Sequence, residues 1–244
     1  EQIGSPWLDT AAVLHTVNIR LFPEQFSFVV NHAEDAVIFV DDVLVSTLEP
    51  LAKDFHGVRA YVVMGDGPLP ATSLQPVYRY EDLLASAQEE YAFPQLDENA
   101  AAGMCYTSGT TGQPKGAQHV HYSLIAQYLT TKWVLDLHDD DIYWCNADPG
   151  WVTGTSYGII GPWANGVTQA VLDSGFSADM WYRFIEKHRI TVWYSAPTAI
   201  RLLMREGKDV AHHFDLSSLR HLCSVGEPLN AEAVIWSQQT FGLP

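Results

Sequence analysis

The residues best suited to chemistry lie in one stretch, Met104–Gly116, with the sequence Met-Cys-Tyr-Thr-Ser-Gly-Thr-Thr-Gly-Gln-Pro-Lys-Gly. Glycines permit positive φ angles and close backbone approach, so such a loop can turn several backbone N–H groups toward one anion. Its hydroxyl groups add donors, and Lys115 adds a point charge suited to phosphate. The stretch therefore predicts a phosphate-binding loop after a short apolar strand. A plain polar turn is the alternative.

The loop differs from the widespread Gly-x-x-x-x-Gly-Lys-Ser/Thr motif, because Lys115 is followed by Gly116. Every position instead matches the phosphate-loop signature of the adenylate-forming superfamily. The chain thus resembles acyl-CoA synthetases, luciferases and peptide-synthetase adenylation domains. The resemblance implies that ATP is bound with Mg²⁺ and that a small carboxylic acid attacks its α-phosphate, giving acyl-AMP and pyrophosphate. In the synthetase branch, coenzyme A then displaces AMP to form a thioester.

The resemblance assigns roles to the loop residues one by one. Lys115 and Thr107 would be catalytic, and Thr107 would also reach the magnesium ion. The residues implied in holding the phosphates of ATP are Thr107, Ser108, Gly109, Thr110, Thr111, Gly112 and Lys115.

Three further segments, 147–157, 194–198 and 224–230, each follow a predicted strand. Ligands bind at the carboxyl ends of strands in open α/β sheets, although each segment alone could be ordinary turn chemistry. All three resemble acetyl-CoA synthetases and short-chain relatives, as does the pair His119 and His121. A metal site at these histidines is possible, but a structural or substrate-contacting role is favoured because no third ligand is apparent.

This second resemblance implies a nucleotide turn and part of an acyl site. Gly226, Glu227 and Pro228 match the turn that packs against adenine. The residues that match positions near the acyl pocket or the coenzyme A passage are Val152, Thr153, Ala196 and Val225. Plain core packing is the alternative for Val152 and Val225. Trp151, in a glycine-flanked loop, is expected to line a pocket or cap a subdomain.

The first half of the chain resembles medium- and long-chain fatty acyl ligases instead, in the segments 13–25 and 30–35. The chain is therefore mosaic in its resemblances, and a natural hybrid, an engineered hybrid and a divergent branch all remain open. Acyl chain length is not fixed by these segments, because the family's pocket also uses residues found in none of them.

Composition limits the class of protein. Apolar residues make up 47% and charged residues 17% of the 244 residues, which indicates a well-buried core. The net charge of −16 argues against nucleic acid or an anionic membrane as a partner. No apolar run is long enough for a membrane span. Cys105, Cys145 and Cys223 lie far apart, as expected for reduced thiols in a cytoplasmic protein.

Alternation of apolar strands with helical patterns predicts an α/β fold of layered, largely parallel sheets flanked by helices, as in the N-terminal domain of adenylate-forming enzymes. The predicted strands are 36–40, 60–64, 104–106, 142–145, 169–172, 191–194 and 221–224. The predicted helices are 22–34, 123–134, 178–188, 198–205 and 231–241.

We expect two segments, residues 1–99 and residues 100–244, the second beginning with the phosphate loop. The Gly- and Pro-rich stretch 65–76 and the acidic stretch after it suggest a joint between subdomains. Both ends of the chain look cut, and several family motifs would lie beyond them. The chain alone is therefore expected to be incomplete for catalysis and prone to self-association. The alternative is an inactive fragment or interaction module with a relic nucleotide site.

Overall fold

The computed structural model describes residues 12–92, 94–107 and 113–243. The chain divides into two compact units, Glu1–His121 and Tyr122–Pro244. The mixed α/β architecture with parallel sheets flanked by helices confirms the predicted fold class. None of the helices in the described part of the chain combines the length and the apolar character that crossing a membrane requires.

The first unit contains two small sheets and short helices. Single 3₁₀ segments, Asp42–Leu44 and Glu49–Asp54, flank its second helix. Its elements are β1 (Leu14–His15), α1 (Pro23–His32), β2 (Val37–Asp41), α2 (Val45–Leu48), β3 (Ala60–Met64), β4 (Val77–Arg79), α3 (Tyr80–Ser86), β5 (Ala101–Thr107) and β6 (Lys115–Val120).

Strands β2, β3 and β4 form a parallel sheet in that order. The predicted strand 60–64 is confirmed as β3, and 36–40 is confirmed as β2, displaced by one residue. Because β4 follows the stretch 65–76 and pairs with β3 before it, this stretch is a connection inside one sheet. The expected joint therefore does not lie at 65–76. Helix α1 begins with Pro23, which suits a first helical position, and packs the buried Val29 and Val30 inward.

The second sheet of this unit has the order β1-β5-β6. β1 is parallel to β5, but β6 is antiparallel to β5, an exception to the predicted parallel pattern. The physical reason is the length of the connection 108–114, since a parallel crossover needs a dozen residues or more. This hairpin keeps both strands in the first unit, and the predicted segment boundary at residue 99 stays a prediction.

The second unit contains one sheet with helices on both faces. A π-helical segment, Ser156–Ile160, connects its second and third helices. Its elements are α4 (Ser123–Trp133), β7 (Ile142–Cys145), α5 (Val152–Thr155), α6 (Gly161–Ala164), β8 (Thr168–Ala170), α7 (Ala178–His188), β9 (Val192–Ser195), α8 (Pro197–Glu206), α9 (Lys208–Ala211), β10 (His221–Ser224) and α10 (Ala231–Phe241).

The four strands of this sheet are all parallel, in the order β10-β9-β7-β8. Both faces are covered, which explains the uninterrupted apolar character of β7 and β9. On one face the Trp144 and Trp193 rings stack with centroids 5.3 Å apart. On the other face Tyr143 and Val192 are fully buried. The predicted helices of this unit are confirmed as α4, α7, α8 and α10.

Strand β8 differs from its prediction at 169–172. It ends at Ala170, which pairs with Trp144 near the end of β7, and Val171 beyond it is 77% exposed. An edge strand extends only as far as its single neighbour offers hydrogen bonds, so the apolar residues after 170 leave the sheet.

An ion cluster joins the residues that precede β7, β9 and β10. The Asp141 carboxylate, 3% exposed, accepts hydrogen bonds from Thr191 Oγ1 (2.7 Å) and Arg220 Nε (2.8 Å). Arg220 also donates to Asp136 Oδ2 at 3.0 Å. Burial raises the pKa of Asp141, but hydrogen bonds from Arg220, Thr191 and the His138 backbone outweigh it and lower the pKa to about 2. The cluster thus ties together the amino ends of three strands.

Removing the Arg220 charge should destabilise the protein. Because Arg220→Met leaves the buried Asp141 carboxylate unpaired, we expect the free energy of unfolding at neutral pH to fall by about 3 kcal/mol in urea titrations. The pKa of Asp141 lies below that of an unfolded aspartate. Its stabilising contribution is therefore present above about pH 4 and is lost as the pH falls toward about 2. The difference between wild type and variant should shrink over the same range.

Arg183→Met provides the matched control, because Arg183 forms an exposed ion pair with Asp179. We expect a change below about 0.5 kcal/mol there. An equal loss in the control, or a difference for Arg220→Met that does not depend on pH, would contradict the assignment.

Candidate functional site

The predicted phosphate loop connects the two strands of the β5–β6 hairpin. Thr107 ends β5, Lys115 begins β6, and the two residues are directly opposite each other in the ladder. Opposite residues on antiparallel strands have Cβ atoms about 4.5–5.5 Å apart and point to the same face. The hydroxyl and ammonium groups, both exposed, therefore flank the two ends of the loop. The predicted loop residues that lie outside the described residues are Ser108, Gly109, Thr110, Thr111 and Gly112.

Gly116 has a packing role that the loop motif does not reveal. A Cβ atom at this position would lie 3.2 Å from Cζ and 3.3 Å from the hydroxyl oxygen of Tyr106. The Tyr106 ring therefore lies against the bare backbone of Gly116. Its hydroxyl group forms a hydrogen bond of 2.7 Å with His32 Nδ1. A glycine after Lys115 thus lets an aromatic ring anchor the base of the loop.

A second polar contact supports the same ring. His15 Nδ1 lies 2.8 Å from Asp35 Oδ2, and the His15 ring contacts Tyr106 with centroids 5.2 Å apart. Burial and the Asp35 charge raise the pKa of Tyr106, so its phenol stays neutral. The sequence did not indicate His15, His32 or Asp35 as supports of the loop, because each meets Tyr106 or its neighbours only through the fold.

The histidines after the loop do not form a metal site with other described residues. His119 lies on β6, where its Nε2 atom is 3.5 Å from the buried Cys105 Sγ. His121 lies beyond the strand, and its backbone N–H donates to Ala100 O at 3.2 Å. Within residues 12–92, 94–107 and 113–243, no group of three His, Cys, Asp or Glu side chains could hold a metal ion. This geometry favours the structural interpretation.

In the second unit, the three predicted turn segments begin at neighbouring strand ends. β10, β9 and β7 are adjacent, and backbone hydrogen bonds continue past them, from Val225 N to Ser195 O (3.1 Å) and from Asn146 N to Tyr194 O (3.2 Å). The segments 147–157, 194–198 and 224–230 therefore start at one edge of the sheet. This is the edge at which parallel sheets bind ligands.

The segment after β7 is a tight turn that leads into α5. The Asp148 carboxylate accepts from Gly150 N at 2.7 Å, and Thr155 Oγ1 donates to Pro149 O at 2.7 Å. Buried Gly154 packs against this turn, since a Cβ atom there would lie 2.1 Å from the Asp148 carbonyl oxygen. The turn and the helix start are therefore held at backbone contact.

The residues predicted near an acyl group differ in exposure. Trp151 is 47% and Val152 44% exposed, so plain core packing does not describe Val152. Thr153 is half-buried within α5, and Ala196 is the residue that precedes α8. Val225 is half-buried against an apolar cluster that includes Tyr143, Val192 and Tyr194. Contacts of these residues with an acyl group or with coenzyme A stay predictions.

Neutral polar groups line the apolar cluster beside Val225. Burial raises the pKa values of the Tyr143 and Tyr194 phenols, and it raises the pKa of Cys223 to about 12. Burial also raises the pKa of Cys145. At neutral pH all four groups are uncharged. This side of the sheet edge therefore offers an apolar, uncharged surface.

The predicted nucleotide turn follows β10. Gly226 has a φ of +91° and no atom within 4 Å of a Cβ position, so the turn depends on glycine for its conformation and not for space. Glu227 accepts from Thr198 Oγ1 at 2.6 Å and from Arg201 Nη1 at 3.0 Å. Arg201 Nη2 also donates to Pro228 O at 3.3 Å. The hydrogen bonds from Thr198 and from Arg201 lower the pKa of Glu227.

Comparison with known proteins is decisive for the family. The profile described as "AMP-binding enzyme" matches residues 8–244. The chain belongs to the AMP-binding enzyme family. It is 46% identical over 192 residues to the acetyl-coenzyme A synthetase of Bacillus subtilis, covering 79% of this chain and 33% of that protein. It is 40% identical over 205 residues to acetyl-coenzyme A synthetase 2 of Pseudomonas aeruginosa, covering 82% of this chain and 32% of that protein.

A crystal structure of a Brucella canis acyl-CoA synthetase superposes on 96% of this chain with a TM-score of 0.83 and 27% identity, and the match covers 41% of that chain. This AMP-binding family chain therefore spans about a third of the length of the acetyl-CoA synthetases it matches. Because fewer than 192 residues follow residue 117, the Bacillus subtilis match includes part of the first half. Similarity to acetyl-CoA synthetases is thus not confined to the second half.

Gly154→Ala should damage the turn between β7 and α5. Its Cβ would meet backbone atoms, which cannot move aside as a flexible side chain can. We expect the free energy of unfolding to fall by about 3 kcal/mol in urea titrations. Gly175→Ala is the matched control, since a Cβ atom there meets nothing within 4 Å. Equal stability of the two variants would show that the turn is not held at the described distance.

Proposed function

We propose that this chain is a segment of an AMP-forming acyl-CoA synthetase, and we propose acetate or another short carboxylic acid as the substrate. The observation that carries the proposal is the placement of Lys115 opposite Thr107 at the two ends of a phosphate loop. The family match and the acetyl-CoA synthetase relatives support the same reaction. The short acid rests on those relatives alone.

The proposed reaction has two halves. In the first, a carboxylate oxygen attacks the α-phosphorus of ATP, the bond from that phosphorus to the bridging oxygen breaks, and pyrophosphate leaves. In the second, the sulfur of coenzyme A attacks the acyl carbon and AMP leaves with the electron pair of the broken C–O bond. The transferring phosphate needs charge stabilisation and alignment more than covalent help from the protein.

Lys115 carries most of the charge stabilisation in this proposal. With the loop residues 108–112, it holds the β- and γ-phosphates and stabilises the departing pyrophosphate. Gly226, Glu227 and Pro228 form the turn against adenine. The residues proposed near the acyl group and the coenzyme A thiol are Trp151, Val152, Thr153, Ala196 and Val225.

The described residues fit a magnesium ion that arrives with the triphosphate better than a resident metal. They contain no cluster of three ligating side chains, and Thr107 offers one hydroxyl oxygen at the end of β5. Mg²⁺ often keeps water and substrate phosphates as ligands beside one or two protein groups. When bound, the ion neutralises phosphate charge. Thr107 then orients the loop end toward it.

An inactive fragment or interaction module with a relic nucleotide site is the second candidate. The lack of a carboxylate cluster among the described residues favours it for the isolated chain. An exchange assay of labelled pyrophosphate with ATP, run with acetate and with octanoate, separates the two candidates. We expect little or no exchange by this chain alone. Robust exchange would mean that the residues within it suffice for adenylate formation.

We also propose the cytoplasm as the compartment of this protein. Cys105, Cys145 and Cys223, all within the described part of the chain, are free thiols. Free thiols are typical of a reducing compartment.

Lys115→Ala should slow adenylate formation far more than the second half-reaction. In the complete enzyme, we expect a fall of about 100-fold in the rate of acyl-AMP formation, because one positioned charge on the transferring phosphates is lost. Thioester formation from supplied acyl-AMP should change little. Lys187→Ala, which removes an exposed lysine on α7, is the matched control. Equal slowing of both half-reactions would reject the role given to Lys115.

Self-association is proposed through one face of helix α4. Leu124, Ile125, Leu129 and Trp133 on this helix are 46%, 48%, 44% and 77% exposed. Exposed apolar patches recruit partners, and the opposing net charge is screened at physiological salt. We expect the chain to elute larger than a monomer and Leu129→Lys to shift it toward the monomer. Val43→Lys, at another exposed apolar side chain, should not do so. A monomeric wild-type chain would refute this proposal.

A further inference from the structure

The side chain of Glu227 lies against helix α8. One carboxylate oxygen accepts from Thr198 Oγ1 at 2.6 Å and the other accepts from Arg201 Nη1 at 3.0 Å. Arg201 then reaches one residue further and donates to the Pro228 carbonyl at 3.3 Å. Three hydrogen bonds therefore join two neighbouring residues of the turn to one helix. We call Thr198, Arg201 and Glu227 the turn clamp.

Helix α8 is built to present this clamp. Pro197 occupies its first position, where a fixed φ suits the helix and no N–H is needed. Thr198 and Arg201 are three residues apart, so they lie on the same face of the helix. That face is turned toward the nucleotide turn, as the three hydrogen bonds require. The helix start and the turn are therefore fixed to each other.

The turn needs such a restraint. Gly226 adopts a φ of +91°, and a Cβ atom there would meet nothing within 4 Å. Glycine loses more conformational freedom on ordering than any other residue. Because the packing around Gly226 leaves open space, the hydrogen bonds on Glu227 and Pro228 are what hold the segment after it.

The clamp also compensates a charge. The whole chain carries a net charge of −16, and an unpaired carboxylate in the nucleotide turn would repel an anionic ligand. Arg201 places its guanidinium on Glu227 and neutralises it locally. Removing the arginine should therefore be worse for an anionic ligand than removing both charges.

We propose that Thr198 and Arg201 are positioning residues that act through Glu227 to order the nucleotide turn 225–228 and to cancel its charge. This inference rests on the nucleotide-binding function proposed above. It assigns the Glu227 carboxylate to the protein side of the turn, so that the backbone of the turn faces the adenine ring.

Two measurements on the full chain test the inference. The first is the NMR order parameter of the backbone amides of Gly226, Glu227 and Leu229 without ligand. In Arg201→Met and Glu227→Gln we expect it to fall from about 0.85 to below about 0.6. The second is the dissociation constant of AMP by calorimetry. An exposed ion pair contributes up to about 1 kcal/mol, so we expect about fivefold weaker binding in Arg201→Met.

The double variant and a control sharpen the test. Arg201→Met with Glu227→Gln should bind AMP no more weakly than Arg201→Met alone, because the uncompensated charge is gone. Arg205→Met removes the same type of charge one turn further along α8, from an exposed position, and should change neither measurement. Melting temperatures close to wild type in all variants would show that general unfolding is not the cause.

The outcomes separate this inference from the function on which it rests. Lower order parameters together with weaker AMP binding support the clamp. Unchanged order parameters overturn it, whatever the affinity. Loosened turns with wild-type affinity for AMP reject its role in nucleotide positioning. If the wild-type chain binds no AMP at millimolar concentration, the nucleotide function fails, and the clamp is then a structural tie only.

Discussion

Parallel pairing of β7, β9 and β10 is the constraint on which the second unit depends. In a parallel sheet every strand starts at one edge and ends at the other, so the two edges can serve different purposes. The amino ends carry the buried Asp141 with Arg220 and Thr191. The carboxyl ends carry the turns that begin after Cys145, Ser195 and Ser224. Charges that stabilise the fold are therefore kept away from the edge where a ligand would bind.

Electrostatics imposes a second constraint, because an acidic chain is proposed to bind an anion. The net charge of −16 must be overcome locally. The carboxylates described near the candidate sites have partners: Glu227 pairs with Arg201, and Asp35 is hydrogen-bonded to His15. Lys115 is left exposed beside Thr107. Local pairing thus reduces the opposing field where phosphate would be held.

The sequence predicted the long elements well because their patterns are local. Helices α7 and α10 and strands β3, β7 and β10 have the predicted bounds, since periodicity and continuous apolar runs mark them. Strand β6 was not predicted, because Lys115–Val120 is mostly exposed and shows no clear alternation. The short strands β1 and β4 were missed because two or three residues form no pattern.

For the candidate site, the motif residues could be found from sequence, but their supports could not. Glu227 and Arg201 are separated by 26 residues, and His32 and Tyr106 by 74. No local pattern connects such pairs, and a single exposed arginine in a helix usually indicates only a solvated face. The carboxyl-end rule nevertheless predicted that three distant turns would begin at one edge.

The contact between Tyr106 and Gly116 has an evolutionary consequence. A β-carbon at position 116 would meet the aromatic ring at 3.2 Å, so a serine or threonine after the lysine would push the ring aside. The other common phosphate loop requires a hydroxyl residue at that place. One substitution therefore cannot convert this loop into that one. A lineage making the change would first have to replace the tyrosine with a smaller residue, and the hydrogen bond to His32 would be lost on the way.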